Sequence, residues 1–345
     1  MSTFIQLHLL TSYPPANLNR DDLGRPKTAR MGGVERLRVS SQSLKRTWRT
    51  SDLFQEALGE EVGTRTKRLG TEVYNELTEG GIKEKDATTW ARAIADVFGK
   101  LQSKGTEIEQ LAHVSPEERA AVSKLTKTLI DEQREPGKEE LKLLRKAPRA
   151  ADIALFGRML AADPDYNVEA ACQVAHAITV HPVSIEDDYF TAVDDLNRGD
   201  EDMGAGHIGE TGFAAGLFYS YICINRDLLI DNLGGDVELA DRAIDALAEV
   251  ATKVSPKGKQ NSFGSRAYAS YVLAEKGEQQ PRSLAVSFLK PVQGHDYAGS
   301  AIQALEHQRD AFDRVYGPCA DDRYAVNAVE GTGSLDELRG FLKQH

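Results

Sequence analysis

The sequence predicts an α+β fold in which a ferredoxin-like sheet is interrupted by a large helical insertion. Three observations predict it. Phe4 to Thr11 alternates loosely and is rich in Ile and Leu, as a strand requires. Asp52 to Leu160 carries mostly helical spacing and no convincing strand. Strand signals then resume at Ala177 to Val183 and Gly216 to Ile224, followed by an amphipathic stretch at Val237 to Val254.

The elements follow in chain order. After the first strand, Asn19 to Arg38 is polar and contains Gly24, Pro26, Gly32 and Gly33, so it reads as a long loop. A helix begins at Ser41, with Ser40 or Ser41 as its cap and apolar Leu44 and Trp48 four apart on one face. Within the insertion, Thr88 to Leu101 has helical apolar spacing. Ser115-Pro116-Glu117-Glu118 combines a cap, a first-turn proline and first-turn acids. Lys138 to Arg149 is strongly charged. A Gly-rich polar loop, Asn197 to Gly212, precedes the strand rich in aromatic and branched residues. Leu284 to Leu289 reads as a further strand ending at Pro291, and Ser334 with Glu337 starts a closing helix as a capping box. Without the insertion the order is strand, helix, strand, strand, helix, strand. RNA-recognition modules share that order, yet many functions use it.

At 345 residues, 41% apolar and 28% charged, the chain can bury a large core. No apolar run approaches the roughly 18 residues a membrane helix needs. The start, MSTFIQLHLL, lacks a basic region before its apolar stretch, so it reads as a strand rather than a signal peptide. Cys172, Cys223 and Cys319 are isolated from one another, which suits buried thiols in a reducing cytoplasm.

The net charge is −11, but its distribution is uneven. Asn19 to Thr50 holds nine Lys or Arg against three acids, a net of +6, so the rest of the chain carries −17. Such a block binds phosphate locally while the remainder repels nonspecific polyanions. Within it, Gln42, Lys45 and Arg49 share one helix face. The helix start offers free amides, and Ser40, Ser41 and Ser43 add hydroxyls. Arg20, Lys27, Arg36 and Arg38 on the preceding loop can close around a sugar-phosphate chain. The bland alternative is a solvated basic face.

Lys257, Lys259 and Gln260 flank Gly258 in a second basic loop. Between Phe190 and Phe213, five acids from Asp194 to Asp202 suggest a protein-binding arm, with Phe190 at its base able to stack on bases. Met159 is either packing or a base wedge. No Walker loop, nucleophile elbow or zinc-protease motif occurs. His176 and His181 are five apart, poorly spaced for a metal on one helix face. Asp187-Asp188 and Asp194-Asp195 are weak magnesium candidates.

The segments LNRDD (Leu18–Asp22), RVSSQSLKR (Arg38–Arg46), DIALFGRM (Asp152–Met159), AHAIT (Ala175–Thr179) and YFTAVDDL (Tyr189–Leu196) resemble one known family in the same order. It is the CasC-type backbone subunit of the type I-E CRISPR Cascade complex, in the repeat-associated RNA-binding superfamily. Matching is weak within Asp52 to Pro148 and after Gly294.

The resemblance implies a hand-like protein. Residues 1–57, 175–189 and 215–345 would form an RNA-recognition-type palm, 58–174 helical fingers, and 190–214 a β-hairpin thumb. It implies a non-catalytic subunit that needs no cofactor or metal, polymerises head to tail along guide RNA, and presents the guide to target DNA beside other Cascade subunits. By motif, Arg20, Lys27, Ser40, Gln42, Lys45 and Arg49 would touch the guide backbone. Met159 and Phe190 would sit at a kink, with Lys257, Lys259 and Gln260 as further guide contacts. Lys138, Lys142, Arg145 and Lys146 fall where fingers of this family meet duplex DNA. Two other readings compete. One is a metal-dependent RNA endonuclease using Asp21 or Asp22, and the other a general single-strand RNA binder.

Overall fold

The structure, a computed structural model, describes residues 2–160, 163–192 and 207–343. The chain opens with β1 (Phe4–Ala16), β2 (Thr28–Met31), β3 (Val34–Val39), α1 (Ser41–Arg49) and α2 (Asp52–Leu58). The insertion adds β4 (Thr64–Thr66), α3 (Leu69–Glu79), α4 (Glu84–Asp96), β5 (Ala112–Val114), α5 (Pro116–Glu132) and α6 (Ala151–Phe156). Next come β6 (Cys172–Val174), β7 (Ala177–Thr179), β8 (Glu186–Ala192), β9 (His207–Asn225), α7 (Arg226–Asn232) and α8 (Val237–Lys253). The chain closes with α9 (Gln260–Phe263), β10 (Ala269–Gly277), α10 (Tyr297–Tyr316), β11 (Asp322–Asn327) and α11 (Leu335–Lys343).

The main sheet runs β11-β10-β1-β9-β7-β3-β2, with β6 and β8 also paired to β9. All its pairings are antiparallel. Its centre, β10-β1-β9-β7, has the 4-1-3-2 order of a ferredoxin-like fold, so the predicted α+β class holds.

One sheet face buries Leu7, Leu9, Phe218 and Ile222 against Leu44 and Trp48 of α1, Phe54 of α2, Ile244 and Leu247 of α8 and Leu338 of α11. The other buries Tyr219, Tyr221, Tyr271 and Leu273 under Phe288 and α10, through Ala301, Ile302 and Leu305. The insertion has its own core, including Leu77, Trp90, Ile94, Leu129 and Leu144. Within its range, α6 sides with the sheet core through Ala151, Ala154 and Leu155.

Several expectations need correction. The loop predicted over 19–38 contains the β2–β3 hairpin. It turns at Gly32 and Gly33, whose φ values of 63° and 80° are the left-handed pair a tight primed turn requires. Leu284 to Leu289 is no strand, since Ala285–Phe288 forms a 3-10 turn. The edge-side strand is instead β10, which pairs with β1 from Phe4↔Gly277 onward. Its sequence, ASYVLAEKG, hides the strand behind Ala, Glu and Lys, which are depleted in sheets. Tertiary context overrides that preference because Glu275 is buried among three partners, His8, Arg282 and Arg323. Lys138 to Arg149 forms turns rather than helix, and the insertion holds the short β4–β5 pair. Residues 207–212, expected as loop, belong to β9, while 197–206 lie outside the described residues.

The Ser115–Glu118 capping box forms as read. At α11, Ser334 Oγ accepts from Glu337 N at 3.1 Å, but its own N–H donates to Tyr324 Oη rather than to Glu337. All three cysteines are buried and free. No helix among the described residues is long and apolar enough to cross a membrane.

Candidate nucleic-acid interface

The basic block folds around α1. Ser40 caps the helix, its Oγ accepting from Ser43 N at 3.3 Å, and no acid stands in the first turn to oppose an anion there. Asn19 anchors the entrance: its Oδ1 accepts from Ser40 N, and its carbonyl accepts from Lys27 N, each at 2.8 Å. Asp21 Oδ1 accepts from the N–H groups of Leu23 and Arg25, both at 2.9 Å, which closes the 21–25 turn. Leu44, Thr47 and Trp48 face the sheet, so Gln42, Lys45, Arg46 and Arg49 line the outer side.

Two grooves flank that outer side and share Arg46. One, of about 370 Å³, gathers Gln42, Lys45 and Arg49 with Phe156, Met159, Arg65 and His113 of the insertion. The other, of about 560 Å³, gathers Arg20, Asp22, Ser43 and Thr50 with Lys257 and Gly258. Lys45 Nζ lies 5.7 Å from the centre of the Phe156 ring, a cation–π contact that leaves the charge unneutralised. Among the described residues no carboxylate pairs with Arg20, Lys45, Arg46, Arg65 or Lys257. Arg49 differs, because its Nη1 lies 3.4 Å from Oδ2 of the fully buried Asp152. That carboxylate also contacts His113 Nε2 at 2.7 Å and accepts from Gly63 N at 2.8 Å.

The remaining candidates spread outward. Lys27 is half-buried beside Arg38 and His176, outside both grooves. Arg36, read as a loop cation, is fully buried. Its guanidinium donates to the carbonyls of Met31, Thr179 and Phe288, which removes it from any phosphate.

Met159 is 82% exposed at the rim of the first groove. Its neighbour Arg158 is buried and ties α5 to the 145–166 segment through Glu118, Arg145 O and Tyr166 O. Phe190 is half-exposed on β8, opposite Gly209, whose missing side chain makes room for the ring. It lines neither groove.

Lys257 Nζ reaches Thr50 O at 3.4 Å. Gly258 packs on the Leu18 carbonyl, where a Cβ would collide. Lys259 adopts φ 49° just before α9, and Gln260 Oε1 accepts from Ser265 Oγ. Lys138, Lys142, Arg145 and Lys146 are exposed on the insertion. Lys142 is paired to Glu139 at 2.6 Å, and Arg145 donates to the carbonyls of Lys142 and Leu144. Lys138 and Lys146 carry no ion pair among the described residues.

Sequence reading missed Arg46 and Arg65 as groove cations. Arg46 could have been found from its one-residue offset to Lys45, but Arg65 reaches the site only through the fold. The five acids from Asp194 to Asp202, read as the body of a protein-binding arm between Phe190 and Phe213, lie outside the described residues. No cluster of three potential metal ligands occurs among the described residues.

A family model described as CT1975-like protein matches residues 5–340. Among solved structures, a chain of a CRISPR RNA-guided surveillance complex, pre-nicking, superposes with a TM-score of 0.84 and 30% identity, covering 98% of this chain and 100% of that one. A second CRISPR RNA-guided surveillance complex chain gives a TM-score of 0.62 at 28% identity, covering 96% and 91% respectively. No curated protein sequence matches.

Proposed function

The chain belongs to the CT1975-like protein family, and from that premise we propose that it is the guide-binding backbone subunit of a CRISPR RNA-guided surveillance complex. It is a component of such a complex, with guide RNA and other subunits as partners. Our finer reading is that it is non-catalytic. Copies stack head to tail, hold the guide by its backbone, and leave the bases free for target DNA.

One observation carries this reading. On a protein of net charge −11, α1 turns Lys45 and Arg46 outward without a carboxylate partner among the described residues, and Arg65 faces them across a groove. Phosphate contacts from such cations position a strand without reading its sequence. The stacking mode of RNA-recognition modules is closed here, because Tyr219, Tyr221 and Tyr271 lie buried beneath α10. Nucleic acid is thereby directed to α1 and its flanking loops.

Within this reading, Arg20, Lys27, Gln42, Lys45, Arg49, Lys257, Lys259 and Gln260 contact the guide. Ser40 contributes mainly by capping α1. Met159 and Phe190 border the kink, from the fingers and the thumb. Lys138 and Lys146 are the finger cations freest to meet duplex DNA. Residues 1–57, 175–189 and 215–345 act as palm, 58–174 as fingers, with α6 docked on the palm, and 190–214 as thumb.

The endonuclease reading fares worse, since one oxygen of the Asp21 carboxylate, Oδ1, is committed to backbone amides. Asp22 remains in the second groove. The test is to purify the native assembly and sequence its RNA. A uniform repeat-derived guide, lost on Lys45→Ala/Arg46→Ala, is expected. Regularly spaced cuts in complementary RNA, abolished by Asp22→Ala, would overturn the non-catalytic assignment.

A further inference from the structure

Away from the α1 grooves, three basic side chains gather on the sheet. Arg38 N donates to Lys27 O at 2.8 Å, carrying the β2–β3 register one step past Thr28↔Leu37. On its other flank Arg38 pairs with Ile178 of β7, and His176 stands two residues before Ile178. With a period of two, Arg38 and His176 share a face. Leu37 and Val39 point into the α1-side core, so this face is the opposite one. Lys27, Arg38 and His176 thus form a row across three neighbouring segments.

The row is electrostatically incomplete. Like charges directly opposite one another in a sheet are destabilising. No carboxylate pairs with any of the three among the described residues. Arg38 Nη1 instead donates to His176 Nδ1 at 2.9 Å, and its Nε reaches Thr28 O at 3.5 Å. A guanidinium can only donate, so Nδ1 is the acceptor and the ring is neutral with its proton on Nε2.

Among the described residues, the other groups on this face do not relieve the row. Arg36, two residues along β3, is spent on carbonyls. On β9, Tyr219 stands opposite Ile178, its phenol pushed up by burial and so uncharged.

We propose that Lys27, Arg38 and His176 form a subsite for one RNA phosphodiester, where the arriving phosphate takes Arg38 away from the imidazole and accepts from both. The subsite extends the guide-binding reading and rests on it. It assigns roles to Arg38 and His176, and lets the guide cross from α1 to the sheet edge at Lys27.

A consequence is proton linkage. Partial desolvation of this largely exposed ring, then the charges of Arg38 and Lys27, push the free His176 imidazole below its ordinary range. A phosphate reverses the electrostatic part, so the ring takes up a proton as RNA binds. Affinity therefore rises as pH falls.

The test titrates fluorescein-labelled poly(U) RNA with the full chain, by anisotropy, across salt and pH. Arg38→Gln is expected to lower the salt slope by about 0.7. Wild-type affinity is expected to rise between about pH 8 and about pH 6, by at most about tenfold per pH unit for one proton. His176→Gln should flatten that dependence while melting like wild type, and Lys45→Ala should keep it. If Arg38→Gln does not fold, Lys27→Gln reads the same slope. Unchanged slope and pH profile in Arg38→Gln and His176→Gln, with Lys45→Ala still weakening binding, would overturn the subsite and leave the guide-binding reading intact. Failure of wild type to bind RNA would overturn both.

Discussion

Arg49 Nη1 lies 3.4 Å from Asp152 Oδ2, joining α1 of the sheet layer to α6 at the base of the insertion. Asp152 is fully buried and its other contacts are His113 Nε2 and the amides of Gly63 and Ile153. One carboxylate therefore fixes the angle between the basic helix and the opposing wall that carries Arg65. It also divides the cations of α1 in two, because Arg49 is neutralised while Lys45 and Arg46 meet no carboxylate among the described residues.

That division predicts unequal substitutions. Lys45→Ala should lower the salt slope of RNA binding by about 0.7, equally for unrelated spacer sequences. Arg49→Ala should lower it less and also reduce the melting temperature. Anisotropy titrations across salt, with thermal melts of the same samples, make the comparison. A larger slope change for Arg49→Ala than for Lys45→Ala would contradict the assignment.

Asp152→Ala leaves Arg49, His113 and two amides without their partner. We expect a loss of about 3 kcal/mol, the usual consequence of breaking a buried charge pair. Denaturant titration of each single variant and of Arg49→Met/Asp152→Ala checks it. The double variant should regain part of the loss.

Glu118 and Arg158 form the insertion's second sealed pair, at 2.8 Å and with side chains 0% and 1% exposed. Glu118 also accepts from Ser115 N and Arg145 N, so one carboxylate caps α5 and pins the 145 turn. Arg158→Met should cost about 3 kcal/mol. It should also raise protease sensitivity near Arg145 and Lys146 before the rest of the chain is cut. Uniform proteolysis would argue that the pair does not hold this turn.

Acid should loosen the sheet layer first. His8 is fully buried, and burial holds its imidazole below the ordinary value of 6.5. As pH falls through about 6.5, the unfolded chain gains a proton that the native chain declines, so stability drops. For Glu275, burial alone would raise the carboxyl, but hydrogen bonds from His8 and Arg282 hold it well below 4.5. Its stabilisation is present above the unfolded value and is lost as pH falls below it. Denaturation midpoints should therefore decline steadily from about pH 6.5 to about pH 4. His8→Gln should flatten the upper part of that decline, and an unchanged curve would refute this role for His8.

Gly258 lies against the Leu18 carbonyl with no room for a methyl group. Gly258→Ala should shift the Lys257–Gln260 loop and cost about 2 kcal/mol. A melt indistinguishable from wild type would show that the loop yields freely.

The local signals of the basic helix were legible in the chain itself. Ser40, Leu44 and Trp48 announce a capped helix with one apolar face, and its cations follow by helical spacing. The capping box at Ser115 and the helix over Val237 to Val254 were equally plain. The strand β10 was not, because Ala, Glu and Lys mark a strand only when a partner on each side supplies the pairing and the counter-charges. The helix over residues 297–316 is hidden in the sequence for a related reason. Their weak amphipathic pattern acquires meaning only against the aromatic sheet face that α10 covers.

By itself, the sequence determined the capped helices at Ser41, Ser115 and Val237, where positive charge concentrates, and which family the motifs resemble. Tertiary structure alone decided which charges stay available. Arg36, Arg38, Lys45 and Arg49 look alike in the chain, yet one is buried on carbonyls, one leans on a histidine, one stands over a ring and one is paired. The physical reason is range: helical spacing is set by neighbours three or four residues away, whereas a charge is neutralised by whatever distant carboxylate or carbonyl the fold brings within a few ångströms.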